Sequence, residues 1–137
     1  MTSMSHFSAV TDPKLFRCSC NRPACDAPPP SDLLLSTLEV LRFYFAAPIV
    51  VTSGPRCAFW NAHEHGEIDS DHLSGEGADV GVLDDTARYG LLAACFQASL
   101  ARIGVGRNFI HVGVARNKKQ AVVWTYYPAP KEETAHA

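Results

Sequence analysis

The sequence predicts a single α+β domain, a small antiparallel sheet with flanking helices. Three observations lead there. Two stretches repeat apolar residues at helical spacing, three or four short runs are β-branched or alternate in polarity, and the last two of those runs flank a polar turn. The 137 residues amount to one domain, enough to close a core without disulfides or metal.

Residues 1–30 are dominated by Ser, Thr, Pro and Cys, and Pro28-Pro29-Pro30 forbids helix, so this segment is expected to be an extended arm around the domain. Ser31 is a good N-cap, and Leu34, Leu38, Leu41 and Phe45 share one face, which predicts a helix over about 32–46 ended by Pro48. Ile49-Val50-Val51-Thr52 predicts a buried strand closed by a Ser53-Gly54-Pro55 turn. Residues 56–70 are polar and predict a loop with room for a short helix at 57–62. Ala78 to Val82 reads as a strand. Asp84 or Asp85 then caps a second helix over 86–103, with Leu92, Cys95, Phe96 and Leu100 inward and Gly104 as its C-cap. Phe109 to Ala115 and Gln120 to Tyr127, joined by Arg116-Asn117-Lys118-Lys119, predict a β-hairpin. The expected organisation is therefore an arm at 1–30, a domain at 31–127 and a disordered tail at 128–137.

Charge narrows the function. Twelve Lys and Arg face fourteen Asp and Glu, a net −2 without a basic run, which argues against binding nucleic acid or an anionic membrane. The longest apolar runs fall far short of the ~20 residues that span a bilayer. Met1 to Val10 lacks the basic and apolar regions of a secretory signal, so synthesis in a reducing cytoplasm is expected. Five cysteines cannot all pair within one chain. Cys18, Cys20 and Cys25 cluster, and with Cys57 they admit a second, structural metal site, but the spacing matches no standard knuckle, and a disulfide or free thiols is the simpler reading. Cys95 reads as a small buried apolar residue. Trp60, Tyr44 and Trp124 read as core residues.

The segment richest in chemistry runs from Ser70 to Asp79. His72 and Asp79 bracket a glycine-rich turn that lets both side chains converge, and alternation along Phe109 to Val114 puts Phe109, His111 and Gly113 on one face. Two imidazoles and a carboxylate with an open fourth position are the ligand set of a catalytic zinc ion. A strand histidine also serves as a satisfied core residue, and Gly-Glu-Gly as a plain turn, so spacing alone leaves both readings open.

The ordered combination resembles a known family. Ser53-Gly54-Pro55-Arg56-Cys57, Asn61, Gly66, Ser70-Asp71-His72-Leu73-Ser74-Gly75, Ala78-Asp79-Val80, the Phe109 to Val112 strand and Trp124 together look like the zinc D-alanyl-D-alanine carboxypeptidases and L-alanyl-D-glutamate endopeptidases. These murein peptidases share a fold with the hedgehog signalling domain. The likeness covers about residues 33–127, and Phe16 to Cys20 is similar to the arm of short phage-encoded members. It implies a zinc-dependent hydrolase of the peptidoglycan stem that uses a metal-activated water, with His72, Asp79 and His111 on zinc. It also implies that Arg56 holds substrate or a developing oxyanion, and that Ser70 contacts substrate or supports a ligand. An enzyme of this kind acts at the bacterial cell wall, as a released lysis enzyme or a virion component that touches phage structural proteins.

The chain departs from the family in two places. Relatives carry an acid or a histidine a few residues before the last zinc-binding His, where this chain has Gly106, Arg107 and Asn108, and many carry Asp where it has Gly113. Amide and guanidinium groups accept no proton at neutral pH. His65, whose side chain ordinarily titrates in the useful range, is then a candidate substitute base, with His63, Glu64, Glu67 and Glu76 as alternatives and solvated loop residues as the competing reading. The competing expectation is a catalytically degenerate structural or wall-binding component of a phage particle with the same fold.

Overall fold

The computed structural model describes residues 6–7 and 16–126. The tail expected at 128–137 and parts of the arm lie outside the described residues. Helix α1 spans Asp32–Phe45, with the Ser31 hydroxyl accepting from the Leu34 N–H at 3.1 Å and Ala46 closing the helix in the left-handed conformation. Strand β1 is short, Val51–Ser53, starting two residues later than the sequence predicts. A six-residue helix α2, Ala58–His63, and a 3₁₀ turn, Asp71–Ser74, lead into β2, Gly77–Gly81. Helix α3, Asp85–Gln97, is capped by Asp84, whose carboxylate accepts from the Ala87 N–H at 2.8 Å. Strands β3, Arg102–Val105, β4, Phe109–Gly113, and β5, Val122–Thr125, complete the chain.

The five strands form one sheet in the order β1-β2-β4-β3-β5. All neighbours are antiparallel except β3 and β5, which run parallel. Two expectations fail here for one reason. The helix predicted to reach Ile103 stops at Gln97, where Ser99 adopts φ 57°, its N–H bonds the Phe96 carbonyl, and the Leu100 N–H bonds the Cys95 carbonyl. That is a Schellman stop made with serine where glycine is usual. The residues so released form β3, so Gly104 lies mid-strand and caps nothing. The tight hairpin is β3–β4. With β2 on one edge of β4 and β3 on the other, β5 has no place beside β4, and the predicted β4–β5 hairpin does not form.

Strand alternation divides the sheet into two functional faces. Ala78, Val80, Ile103, Ile110 and Val112 turn to one side, where Leu34, Leu38 and Leu41 of α1 and Leu91, Ala94 and Cys95 of α3 bury against them. Phe96, expected inward, is 61% exposed. Among the described residues of the arm, Phe7 and Phe16 add to the same core. The five cysteines are free; Cys18 and Cys57 approach to 3.6 Å between sulfurs, far longer than a disulfide. No helix among the described residues is long and apolar enough to cross a membrane. Asp79, Gly104, His111 and Gly113 occupy the sheet face opposite the helices.

Candidate metal and active site

The turn before β2 delivers the first histidine. Ser70 caps it, its hydroxyl accepting from the His72 N–H at 3.2 Å, and Gly75 ends it at φ 72°, its carbonyl accepting from the Ser31 N–H at 2.8 Å. A side chain at Gly75 would be strained and would also run into the Pro29 carbonyl. Asp79 on β2 and His111 on β4 are direct cross-strand partners. The antiparallel register therefore holds their side chains together before any ligand is considered.

Asp79 Oδ1 lies 3.2 Å from His72 Nε2 and 2.9 Å from His111 Nδ1. The three ligand atoms all fall within 4.8 Å of one another, and the three residues are buried. With metal–nitrogen and metal–oxygen distances of about 2.0–2.2 Å, tetrahedral ligand atoms sit roughly 3.3 Å apart, so the His-Asp-His set can hold a metal ion with little movement. The other ring nitrogens are committed elsewhere. His72 Nδ1 donates to the Gly54 carbonyl at 2.7 Å, and His111 Nε2 donates to Asp71 Oδ2 at 3.1 Å. Each bond holds the proton on the outer nitrogen, so that the neutral ring presents its facing nitrogen as a ligand. Burial pushes His72 below its ordinary pKa despite the neighbouring carboxylate, which keeps that lone pair available. At His111 burial opposes charge, but hydrogen bonds to Asp71 and Asp79 outweigh it and raise the pKa. Asp79 resists burial's upward push through its bonds to His111 and His72 and stays well below the usual carboxylate range.

Asp71 was not singled out in the sequence, and it organises the site. Its carboxylate is buried and accepts from His111 Nε2, from Arg102 Nε at 3.2 Å and from Lys118 Nζ at 2.9 Å. Burial alone would raise its pKa; the His111 and Lys118 contacts hold it well below the ordinary value. Two glycines make room for it. A β-carbon on Gly113 would overlap Asp71 Oδ2, and one on Gly77 would stand 2.6 Å from Asp71 Cβ and 2.9 Å from His111 Cε1. At Gly113, where the family resemblance leads one to expect Asp, the space is filled by the Asp71 carboxylate. Adjacency to His72 in Ser70-Asp71-His72 was the only sequence signal, and it does not reveal that Asp71 serves the other histidine.

Arg56 follows the turn after β1, with its backbone N–H bonded to the His72 carbonyl at 2.9 Å. Its guanidinium donates to Ser53 Oγ at 3.2 Å, to Asn61 Oδ1 at 3.4 Å and to Asp79 Oδ2 at 3.4 Å. Asp79 thereby gives one oxygen to the histidines and the other to Arg56. Asn61 is buried and ties the loop together through the Glu67 carbonyl at 2.7 Å.

These groups open into a cavity of about 790 Å³. Arg56, His65, Ser70, His72, Asp79 and His111 all line it, so the sequence-derived site residues converge on one space. Trp124 and Tyr126 form an aromatic wall, with ring centroids 5.6 and 6.4 Å from that of His111. This corrects the reading of Trp124 as core; Tyr44 is likewise 41% exposed. The Tyr126 phenol is protonated at neutral pH in any case, and its partial burial pushes it further up, to about 12. Gly106, Arg107 and Asn108 contribute nothing to the lining; its remaining acids, Glu64, Glu67 and Asp69, belong to the loop that carries His65.

A buried His-Asp-His set able to bind a metal, with an arginine beside it, thus lies at the base of a cleft on an α+β sheet. Comparison with known families gives a match over residues 11–113 to Peptidase M15, and the chain belongs to that family. No curated protein matches the sequence.

Proposed function

We propose that this chain is a zinc-dependent peptidase that hydrolyses peptide bonds of the peptidoglycan stem, of the D-Ala-D-Ala carboxypeptidase or L-Ala-D-Glu endopeptidase type. The observation that carries the reading is the preformed ligand set of His72, Asp79 and His111, with Arg56 on Asp79, facing a peptide-sized cavity. Zinc bound there would supply a Lewis acid that polarises the scissile carbonyl and lowers the pKa of a water toward ~7. Arg56 has five N–H donors and three neighbours, so donors remain to hold a substrate carboxylate or a developing oxyanion. Trp124 and Tyr126, their rings set edge to face, offer an aromatic wall for the stem peptide, and Ser70 contacts it from the cavity lining while capping the His72 turn. Proton transfer falls to His65 in this proposal, with Glu64 and Glu67 beside it on the same loop. The setting that fits such an enzyme is the bacterial cell wall, reached as a released lysis enzyme or as part of a virion.

The β3–β4 turn favours a second reading. Because Gly106, Arg107 and Asn108 supply no acid, a catalytically degenerate wall-binding or particle component of the same fold is the alternative. One experiment separates the two. Zinc-loaded protein is incubated with purified peptidoglycan between pH 5 and 9, and released D-alanine and new amino termini are quantified beside His72→Ala. Free D-alanine marks a carboxypeptidase and new amino termini an endopeptidase. No release by protein shown to hold zinc overturns the enzyme reading and leaves the binding one.

A further inference from the structure

We propose that Cys18, Cys20, Cys25 and Cys57 hold a second zinc ion in a closed, all-thiolate structural site that fastens the N-terminal arm to the turn bearing Arg56. The four sulfurs come from two separate parts of the chain, yet all lie within 4.8 Å of one another. Four thiolates at about 2.3 Å from a tetrahedral zinc stand roughly 3.8 Å apart. The Cys18 to Cys57 separation of 3.6 Å is close to that spacing and far from the ~2.05 Å of a disulfide. Soft thiolate ligands in this number select zinc over the hard cations, and four protein ligands leave no open position for a substrate.

The backbone is arranged for sulfur carrying negative charge. The Cys57 N–H points at Cys18 Sγ at 3.5 Å, the Trp60 N–H at Cys57 Sγ at 3.4 Å, and the Arg22 N–H at Cys20 Sγ at 3.4 Å. A thiol is a weak acceptor, so three such donors aimed at three of the four sulfurs suit thiolates. The loop between Cys20 and Cys25 is shaped to return its sulfur to the cluster. Asn21 takes a left-handed φ of 55°, the Cys25 N–H closes a turn on the Arg22 carbonyl at 3.2 Å, and the Arg22 guanidinium sits 4.2 Å from the Phe59 ring centroid. Residues 21–26 are exposed and belong to no helix or strand, so core packing does not hold this loop in place. Cys95, the fifth cysteine, is buried alone in the core and takes no part.

The consequence is mechanical. Cys57 directly follows Arg56 and caps α2, while Cys18 is buried two residues after Phe16 of the core. An ion joining them locks the arm against the segment that aims Arg56 at Asp79. It also holds irrespective of whether the cavity site is catalytic.

The test is metal stoichiometry by mass spectrometry on full-length protein purified without chelator. Wild type should carry two zinc ions per chain, His72→Ala one, Cys20→Ser/Cys25→Ser one, and the combined variant none. To guard against misfolding of the cysteine variant, His72→Ala is also loaded with cobalt(II). It should show an intense sulfur-to-cobalt charge-transfer band, and titrating four thiols of the zinc form with a mercurial should release one zinc. Loss of all metal from His72→Ala, absence of the charge-transfer band, or an intact mass lowered by paired disulfide formation would each overturn the proposal. Loss of the cavity zinc alone would leave it standing, so the two sites fail separately.

Discussion

Replacing Asp71 by Asn tests how the proposed metal site is held. The substitution preserves shape while removing the charge that three buried or half-buried donors share: His111 Nε2, Arg102 Nε and Lys118 Nζ. An amide can keep one acceptor toward His111, but its NH₂ group then faces a cation, and breaking a buried charged cluster from one side costs about 3–5 kcal/mol. The effect on zinc is separable from that loss. A carboxylate that orients a ligating histidine contributes about 10–100-fold in metal affinity, which is roughly 1.4–2.7 kcal/mol. Stabilisation by a ligand follows its affinity, so the rise in Tm on adding zinc should shrink by roughly 4–11 °C for a domain of this size. Chelator competition gives the affinity directly, and thermal unfolding with and without zinc gives the second figure. An Asp71→Asn protein that binds zinc within twofold of wild type would refute the reasoning, because His111 would then need no carboxylate behind it.

Three further expectations follow from the same geometry. Gly113→Ala drives a methyl group into Asp71 Oδ2 and should cost about 1–3 kcal/mol of stability, together with a fall in zinc affinity; normal chelator competition would count against the crowding argument. Arg56→Lys keeps a charge but loses the planar fork, so kcat/KM on a stem-peptide substrate should fall about 10²–10³-fold while zinc content by mass spectrometry stays constant; full activity would remove Arg56 from oxyanion or carboxylate binding. In metal-free protein, Asp71 and Asp79 titrate in the fold below their unfolded pKa of about 3.9, so they contribute stability above that pH which is lost as pH falls through it toward the folded values. Chelator-treated protein should therefore lose stability steeply below about pH 4, and an Asp71→Asn variant with the same acid limb would contradict the assignment.

Local signals carried the sequence reading, and it failed where long-range pairing decided. Ser31, Asp84 and the Leu34 to Leu41 stripe mark helices through contacts within a few residues, and α1 and α3 begin where those signals fall. The end of α3 depends on Ser99 adopting a left-handed conformation that composition favours for glycine, and missing it puts Arg102 and Ile103 in the helix and makes Gly104 its cap, where all three belong to β3. From that single error the wrong hairpin followed. His72, Asp79 and His111 were legible because each sits in a short motif with a strand or turn of its own. Asp71 was hidden because its partners, His111, Arg102 and Lys118, lie 31 or more positions away.

The site's support is interlocked along the chain. The turn after β1 supplies the Gly54 carbonyl that orients His72; the 3₁₀ turn that carries His72 supplies the Asp71 carboxylate that orients His111; and His111, held on β4, meets Asp79 across the β2–β4 ladder. No ligand is positioned by its own element alone. Neighbouring residues Asp71 and His72 serve opposite sides of the cluster, which a 3₁₀ turn permits because successive side chains point about 120° apart. A buried carboxylate is costly unless paired, and Asp71 recovers that cost only while β3 presents Arg102, the segment before β5 presents Lys118 and β4 presents both His111 and the bare backbone of Gly113. Assembly of the sheet in its β2-β4-β3 order is thus what makes the ligand set, and a variant that disturbs the β3–β4 pairing should lose metal affinity even with every ligand residue intact.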